Sequence, residues 1–264
     1  MSSKSSGRKL RKESGVHGSV WGNFHGGYFS DPSVAKPLLL NLCEAVSASH
    51  PEVVVDLGGG TGYLLGALRE QYPDLSAQLV NIDLSGKQLG ESAHDCIHTV
   101  QCAIETFTRS RIDPHAEKFL FLMRSALHYM GKHGLKPFLH HLRAQMAKGE
   151  YFIHQTACFE KERDAECLNT LYAHMGTGKW YPQTDALRFL LEQSGWSVVS
   201  VEPAPMLPLT SDDLGKRYGL NEKSVSDICG DITRGFGETD KVFQKIPDGF
   251  CAYLHYRIFT CVAV

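Results

Sequence analysis

A run of glycines follows an acidic residue in residues 53–70, VVVDLGGGTGYLLGALRE. Asp56 ends an apolar, β-branched run, and Gly58, Gly60 and Gly62 alternate behind it. Glycine lets the backbone bend sharply and lets a ligand approach the main chain closely. The helix that follows offers free N–H groups and a partial positive charge at its first turn. The stretch therefore predicts a strand, a ligand-binding loop and a helix.

A second acidic residue ends the next apolar run. Asp83 lies in LVNIDLS, twenty-one residues after Gly62. In nucleotide-binding folds a carboxylate at this place accepts hydrogen bonds from the hydroxyls of a ribose. The glycines do not have the G-x-G-x-x-G spacing that a dinucleotide site requires. The pattern favours a nucleoside-containing cofactor of another class.

The two segments VVVDLGGGTG and VNIDLS resemble class I S-adenosylmethionine-dependent methyltransferases, and the resemblance extends from about residue 51 to the C-terminus. It implies a Rossmann-like α/β fold with a seven-stranded, mostly parallel sheet whose last strand is antiparallel. It also implies that the amino-acid end of S-adenosylmethionine lies near Asp56, Gly58 and Gly60, that the ribose lies on Asp83, and that S-adenosylhomocysteine is the product.

Further cofactor contacts follow from the same resemblance. Many relatives place an aspartate on the adenine after the third strand, where this chain reads VQCAIETF. Backbone groups near Ile104, or the side chain of Glu105, are expected to serve instead. We also expect Leu84 and Tyr28 to contact the cofactor.

The segment FLFLMRSALHYM is similar to the fourth strand of small-molecule O-methyltransferases. The resemblance places Arg124 along the methionine part of the cofactor and His128 opposite the methyl group, as a general base. A helix-start histidine bonded to a backbone carbonyl is an equally good interpretation of His128. Gln155 stands where the plant enzymes have a glutamate that orients the histidine, and an amide does not stabilise an imidazolium as a carboxylate does. A nitrogen or sulfur nucleophile that loses its own proton therefore remains an alternative to an oxygen nucleophile.

Aromatic side chains flank the predicted cofactor site in sequence, and such side chains hold planar or cationic ligands by stacking and cation–π attraction. Ordinary core packing is the alternative for each one taken alone. The predicted substrate-binding residues are Trp21, Phe24, Tyr129, Gln155, Tyr172 and Tyr181.

Short apolar strands separated by helices predict a parallel sheet that carries helices on both faces. We expect a disordered basic tail over residues 1–16, N-terminal lid helices over 17–50 and one methyltransferase domain over 51–264. Prolines and glycines predict an insertion at about 203–249, before the last strand. The predicted strands are Val53–Leu57, Gln78–Ile82, Thr99–Cys102, Phe119–Met123, Tyr151–Gln155, Ser197–Val201 and one within the C-terminal FCAYLHYRIFTCVAV.

Composition narrows the class of protein. The 264 residues are 42% hydrophobic and 21% charged with a net charge of −2, and the only dense basic cluster is in the tail. A nucleic-acid partner is not expected, because such proteins carry a basic face on their folded part. No window has the roughly 20 apolar residues that a membrane span requires. The eight cysteines form no C-x-x-C pair, which favours reduced thiols in the cytoplasm.

These observations predict a transferase that methylates O or N of a small molecule, and we expect its role to be in secondary metabolism. No metal is expected, since His94 and His98 have no third ligand at a suitable spacing, and an oligomer is not indicated. One alternative keeps the cofactor but attacks another carbon of its sulfonium, giving cyclisation or aminocarboxypropyl transfer with release of methylthioadenosine. The other is an NAD-binding or non-catalytic protein on the same fold.

Overall fold

The computed structural model describes residues 25–91, 94–239 and 241–264. The predicted substrate residues Trp21 and Phe24, and the predicted tail, lie outside the described residues. The strands of the described part are β1 Val53–Leu57, β2 Gln78–Asp83, β3 Ile97–Gln101, β4 Phe119–Arg124, β5 Tyr151–Ala157, β6 Trp196–Thr210, β7 Phe243–Ile246 and β8 Gly249–Ala263. The helices are α1 Pro32–Ser49, α2 Tyr63–Gln71, α3 Gly86–Gly90, α4 Arg109–Ile112, α5 Gly131–Ala144, α6 Glu162–His174, α7 Thr184–Gln193, α8 Ser211–Tyr218 and α9 Glu222–Phe236, with a 3₁₀ turn at Leu127–Met130.

The strands form one sheet in the order β3-β2-β1-β4-β5-β8-β6, with β7 paired to β8. Strands β1 to β5 are parallel, and β8 runs antiparallel to β5, β6 and β7. The predicted Rossmann-like sheet with an antiparallel last strand is confirmed, and β7 makes the described sheet eight-stranded. The chain order reverses between β1 and β4, and ligands bind at the carboxyl ends of strands beside such a reversal.

Helices cover both faces of the sheet, which explains why its central strands are apolar throughout. All five residues of β1 are buried. Val54 packs with Leu38 and Leu42 of α1, whereas Val55 packs with Leu139 of α5 on the opposite face. Alternate residues of a strand point to opposite faces, so burial on both faces holds β1, and with it Asp56, in a fixed position.

Helix α1 begins after a capping residue, Asp31. The Asp31 side chain accepts a hydrogen bond of 2.7 Å from the Ser33 backbone N–H, and Pro32 occupies the first turn, where its missing N–H costs nothing. The apolar face of α1 lies on the sheet. Within the region predicted as a lid, the part that borders the carboxyl ends of the strands is the turn before α1, which includes Phe29 and Ser30.

Strand β6 is longer than the sequence predicts. It continues past Val201 to Thr210, although Pro203, Pro205 and Pro208 suggest a break. Strand β6 is at the edge of the sheet, where a residue without an N–H does not remove a ladder hydrogen bond. The region predicted as an insertion therefore starts as sheet, and α8, α9 and β7 follow.

The described residues contain free cysteine thiols and neither a candidate membrane span nor a candidate metal cluster. No helix there has the length and apolarity to cross a bilayer. No group of three or more His, Cys, Asp or Glu side chains within the same residues is arranged to hold a metal ion. All eight cysteines are free thiols.

Candidate cofactor-binding site

A cavity of about 230 Å³ lies at the carboxyl ends of β1, β2 and β4. Five segments meet there: the turn before α1, the glycine loop after β1, and the turns after β2, β3 and β4. The lining residues are Phe29, Ser30, Asp56, Gly58, Gly59, Gly60, Thr61, Tyr63, Leu64, Asp83, Leu84, Ser85, Gln88, Ala103, Ile104, Glu105, Arg124, Ser125, Ala126, Tyr129 and Met130.

The glycine loop needs its glycines for two separate reasons. Gly58, Gly60 and Gly62 have φ values of 75°, 59° and 79°, which residues with a Cβ rarely adopt. Gly59 is required by packing, because a Cβ there would lie 2.5 Å from Asp56 Cγ and from Asn81 Oδ1. Nothing in the sequence except its place in the glycine run points to a role for Gly59.

Asp83 fixes the shape of this loop. Its Oδ2 accepts a hydrogen bond of 3.0 Å from the Gly60 N–H, and its Oδ1 accepts one of 2.8 Å from the Ser85 N–H. Burial raises the pKa of Asp83, and these backbone N–H groups oppose the rise. Each carboxylate oxygen accepts more than one hydrogen bond, so Asp83 can hold the loop and still accept a ligand hydroxyl. The sequence also contains no indication of a role for Asn81, whose Nδ2 donates a hydrogen bond of 2.9 Å to the Gly60 carbonyl.

Asp56 has a very different environment. It is fully buried, and neither of its carboxyl oxygens has a hydrogen-bond partner among the described residues. Burial, and next the charge of Asp83, raise the pKa of Asp56 to about 8, while Arg124 opposes the rise. An unpaired buried carboxyl is costly, and a cationic group that entered the cavity beside it would remove that cost.

Arg124 closes the cavity on the side of the N-terminal turn. Its Nη1 donates a hydrogen bond of 2.9 Å to the Phe29 backbone carbonyl, and its guanidinium lies 5.3 Å from the centre of the Phe29 ring. Its Nε has no hydrogen-bond partner among the described residues. Burial lowers the pKa of Arg124. The predicted cofactor residues Asp56, Asp83 and Arg124 thus meet in one cavity, together with Leu84, Ile104 and Glu105.

Tyr28 and Gln155 meet each other outside this cavity wall. The Gln155 Nε2 donates a hydrogen bond of 3.3 Å to the Tyr28 hydroxyl. The Tyr28 hydroxyl in turn donates one of 2.5 Å to the Pro205 backbone carbonyl. The backbone carbonyl of Gln155 accepts a hydrogen bond of 2.8 Å from the Ser125 N–H. This chain of contacts ties the N-terminal turn to β5 and β6, and it places Phe29 rather than Tyr28 against the cavity.

Three of the predicted substrate residues, Tyr129, Tyr172 and Tyr181, form an aromatic layer with the predicted base, His128. Tyr129 lines the cavity. The His128 ring is buried, 4.2 Å from the Tyr129 ring and stacked 5.3 Å from the Tyr181 ring. Tyr172 lies beside Tyr181, with ring centres 5.0 Å apart. Neither His128 nor these last two tyrosines is among the cavity-lining residues of the described chain.

A family model described as a methyltransferase domain matches residues 33–201, which is more than half of the chain. The chain belongs to this methyltransferase family. The match ends within β6, so α8, α9 and the β7–β8 pair of this methyltransferase lie beyond it. No curated protein matches the sequence significantly.

Solved structures with the same fold include several methyltransferases. The YcgJ protein of Bacillus subtilis matches with a TM-score of 0.61 at 12% identity, over 86% of this chain and 97% of that one. The 1,6-didemethyltoxoflavin-N1-methyltransferase of Burkholderia thailandensis, with 1,6-didemethyltoxoflavin and S-adenosylhomocysteine bound, matches at 0.58 and 14% over 100% and 91%. The magnesium protoporphyrin IX methyltransferase of Synechocystis PCC 6803, with bound SAM, matches at 0.52 and 12% over 97% and 91%.

At these identities the similarity is one of fold. The family match and the sheet order together confirm the predicted class I family. They also confirm that the enzyme is a methyltransferase and that its cofactor is S-adenosylmethionine. The roles of individual residues remain predictions.

Proposed function

We propose that this methyltransferase transfers the methyl group of S-adenosylmethionine to an oxygen or nitrogen of a small molecule. The observation that carries the proposal is the buried, unpaired carboxyl of Asp56 in the same cavity as Asp83 and Arg124. The cavity thus presents three acids, Asp56, Asp83 and Glu105, and one cation, Arg124, at separate positions. A ligand with an ammonium, a carboxylate and a ribose matches those charges.

Each group of the cofactor has a proposed partner. Asp56 would hold the ammonium, whose positive charge would stabilise the ionised carboxyl, and Arg124 would hold the carboxylate. Asp83 would accept hydrogen bonds from the ribose hydroxyls, and Leu84 and Ile104 would pack on the adenine, with Glu105 at its edge. When bound, the cofactor supplies a methyl group on a sulfonium sulfur, which a nucleophile displaces in line without a metal. The protein aligns the reactants and excludes water.

Two observations support a small-molecule acceptor. The cavity is lined mostly by residues of the sheet and its turns, and its wall at Tyr129 and Met130 is continuous with an aromatic layer. The Burkholderia and Synechocystis enzymes are named for the methylation of small molecules. Substrate contacts by Tyr129, Gln155, Tyr172, Tyr181, Trp21 and Phe24, a cofactor contact by Tyr28, a cytoplasmic location and a role in secondary metabolism stay predictions.

Calorimetry with the full chain tests the cofactor. We expect S-adenosylhomocysteine to bind and NAD and NADP not to bind. Binding of only the dinucleotides would contradict the proposal. As a matched control, Asp74→Asn removes an exposed carboxyl just before β2 and is expected to leave binding unchanged.

Product analysis tests the reaction. The protein is incubated with methyl-labelled S-adenosylmethionine and a small-molecule extract, and both products are identified by mass. Labelled acceptor together with S-adenosylhomocysteine supports methyl transfer. Release of methylthioadenosine instead would show that another carbon of the sulfonium is attacked.

A further inference from the structure

Tyr129, on the cavity wall, contacts two buried cations. Arg217 Nη2 donates a hydrogen bond of 3.1 Å to the Tyr129 hydroxyl. Lys179 Nζ lies 4.7 Å from the centre of the Tyr129 ring. The exposed fractions are only 9% for Arg217 and 8% for Lys179. Both charges therefore act on the phenol through protein rather than through water, which strengthens them.

The two cations are held in place by a second tyrosine. Lys179 Nζ donates a hydrogen bond of 2.7 Å to the Tyr218 hydroxyl, and the Arg217 guanidinium lies 5.4 Å from the centre of the Tyr218 ring. Arg217 and Tyr218 belong to α8, beyond the part of the chain that the family model matches. Lys179 lies between α6 and α7. Segments outside the central parallel strands thus bring positive charge to one phenol on the cavity wall.

Positive charges beside an acid favour its ionised form. When the phenol loses its proton, the hydrogen bond from Arg217 becomes one between two opposite charges, which is roughly twice as strong as a neutral one. The ammonium of Lys179 is attracted to the ring in either state and more strongly to the phenolate. Both contacts therefore lower the energy of the phenolate relative to the phenol.

We propose that Tyr129 is the proton acceptor of the methyl-transfer reaction and that Arg217 and Lys179 stabilise its phenolate. The inference rests on the proposed function. The Tyr129 oxygen takes the proton from the O–H or N–H of the acceptor. The acceptor atom forms a bond to the methyl carbon as the carbon–sulfur bond breaks, and the electron pair stays on sulfur as neutral S-adenosylhomocysteine. The proton then passes from Tyr129 to solvent.

His128 has a supporting place in this arrangement. Its ring packs between Tyr129 and Tyr181. Its backbone carbonyl accepts a hydrogen bond of 3.1 Å from the N–H of Trp180, the residue that follows Lys179 in the chain. Four more charged groups line the same cavity as Tyr129: Asp56, Asp83, Glu105 and Arg124. The acids among them oppose the phenolate, so the contribution of the two cations must be measured directly.

Phenolate absorbance measures the contribution of the two cations to the ionisation of Tyr129 without a cofactor or an acceptor. The protein has ten tyrosines, so the titration of Tyr129 is read as the difference between wild type and Tyr129→Phe. We expect one tyrosine equivalent that ionises at least one pH unit below the ordinary tyrosine pKa of about 10. The control Tyr151→Phe, on β5, is expected to retain that signal.

Variants of the cations separate a chemical role from a structural one and keep Tyr129 in place. Arg217→Met and Lys179→Met are each expected to move the titration upward by at least half a pH unit. Arg217→Lys, which retains the charge, is expected to restore part of the shift. A Tyr129 signal at pH 10 or above, or one that neither cation variant moves, overturns the inference.

Turnover completes the test. With labelled methyl groups and an extract, Tyr129→Phe is expected to bind S-adenosylhomocysteine within threefold of wild type while methyl transfer falls at least tenfold. Full activity in Tyr129→Phe overturns the inference. If wild type fails to bind S-adenosylhomocysteine, the proposed function fails instead, and the absorbance titration still decides the state of Tyr129.

Discussion

Asp56 and Asp83 lie at the carboxyl ends of neighbouring parallel strands and line one cavity, yet of the two only Asp83 has hydrogen-bond partners among the described residues. Asp83 accepts from the Gly60 and Ser85 backbone N–H groups, whereas both oxygens of Asp56 are buried without a partner. The charge of Asp83 further raises the pKa of Asp56. One acid therefore shapes the loop, and the other is left for a cationic ligand group.

Replacing Asp83 is expected to weaken cofactor binding strongly. Asp83→Ala removes both the acceptor for the Gly60 N–H and the proposed partner of the ribose. Hydrogen bonds to charged groups contribute about 1.5–3 kcal/mol, so we expect the Kd for S-adenosylhomocysteine to rise about 10- to 100-fold, measured by calorimetry. Unchanged affinity would remove Asp83 from the site, provided that Asp74→Asn also binds normally.

Neutralising Asp56 is expected to stabilise the free protein at neutral pH. Its pKa is raised from 3.8 to about 8, so the folded state holds a proton that the unfolded state has lost. Stability therefore falls as pH rises from about 4 to about 8, by at most about 1.4 kcal/mol per pH unit. Urea unfolding at pH 5 and pH 7.5 should show that Asp56→Asn gains over wild type at the higher pH. An equal difference at both pH values would contradict the burial argument.

Cofactor binding is expected to release a proton from Asp56. At pH 7 a carboxyl with a pKa of about 8 is mostly protonated, and an arriving ammonium favours its ionised form. Calorimetry of S-adenosylhomocysteine binding in two buffers of different ionisation enthalpy should report release of close to one proton at pH 7. Asp56→Asn provides the comparison, and the same proton release in both proteins would exclude Asp56 as its source.

Gly59 is expected to tolerate no side chain. A Cβ there meets Asp56 and Asn81 at 2.5 Å, and relief requires the loop or the buried acid to move. We expect Gly59→Ala to lower the free energy of unfolding by about 1–3 kcal/mol and to abolish measurable S-adenosylhomocysteine binding. Gly90→Ala, at the end of α3, is the matched control, because nothing lies within 4 Å of its Cβ position.

His128→Ala is expected to leave S-adenosylhomocysteine binding intact and to slow methyl transfer. The ring lies outside the cavity wall but packs against Tyr129 and Tyr181, so its loss removes support from the layer behind the acceptor. Aromatic pairs contribute about 0.5–1.5 kcal/mol beyond burial, and the melting temperature should fall accordingly. A normal rate of labelled methyl transfer would remove His128 from the reaction.

Local patterns in the sequence determined the central sheet and the acids at its carboxyl edge. The runs at Val53–Leu57 and Gln78–Asp83 each contain, at or next to the last residue, an acid that lines the cavity, because a buried strand and the turn after it are encoded by adjacent residues. The cap of α1, in which Asp31 accepts from the Ser33 N–H, is a local feature of the same kind. These features depend on contacts within a few residues of the chain.

Only the tertiary structure decided the features that depend on distant contacts. The continuation of β6 through three prolines follows from its position at the sheet edge, which no local pattern reveals. The unpaired state of Asp56 depends on what surrounds it from other strands. The meeting of Tyr129 with Arg217, 88 residues later in the chain, depends on the packing of α8, since side-chain charge is visible in a sequence but the groups that it faces are set by the fold.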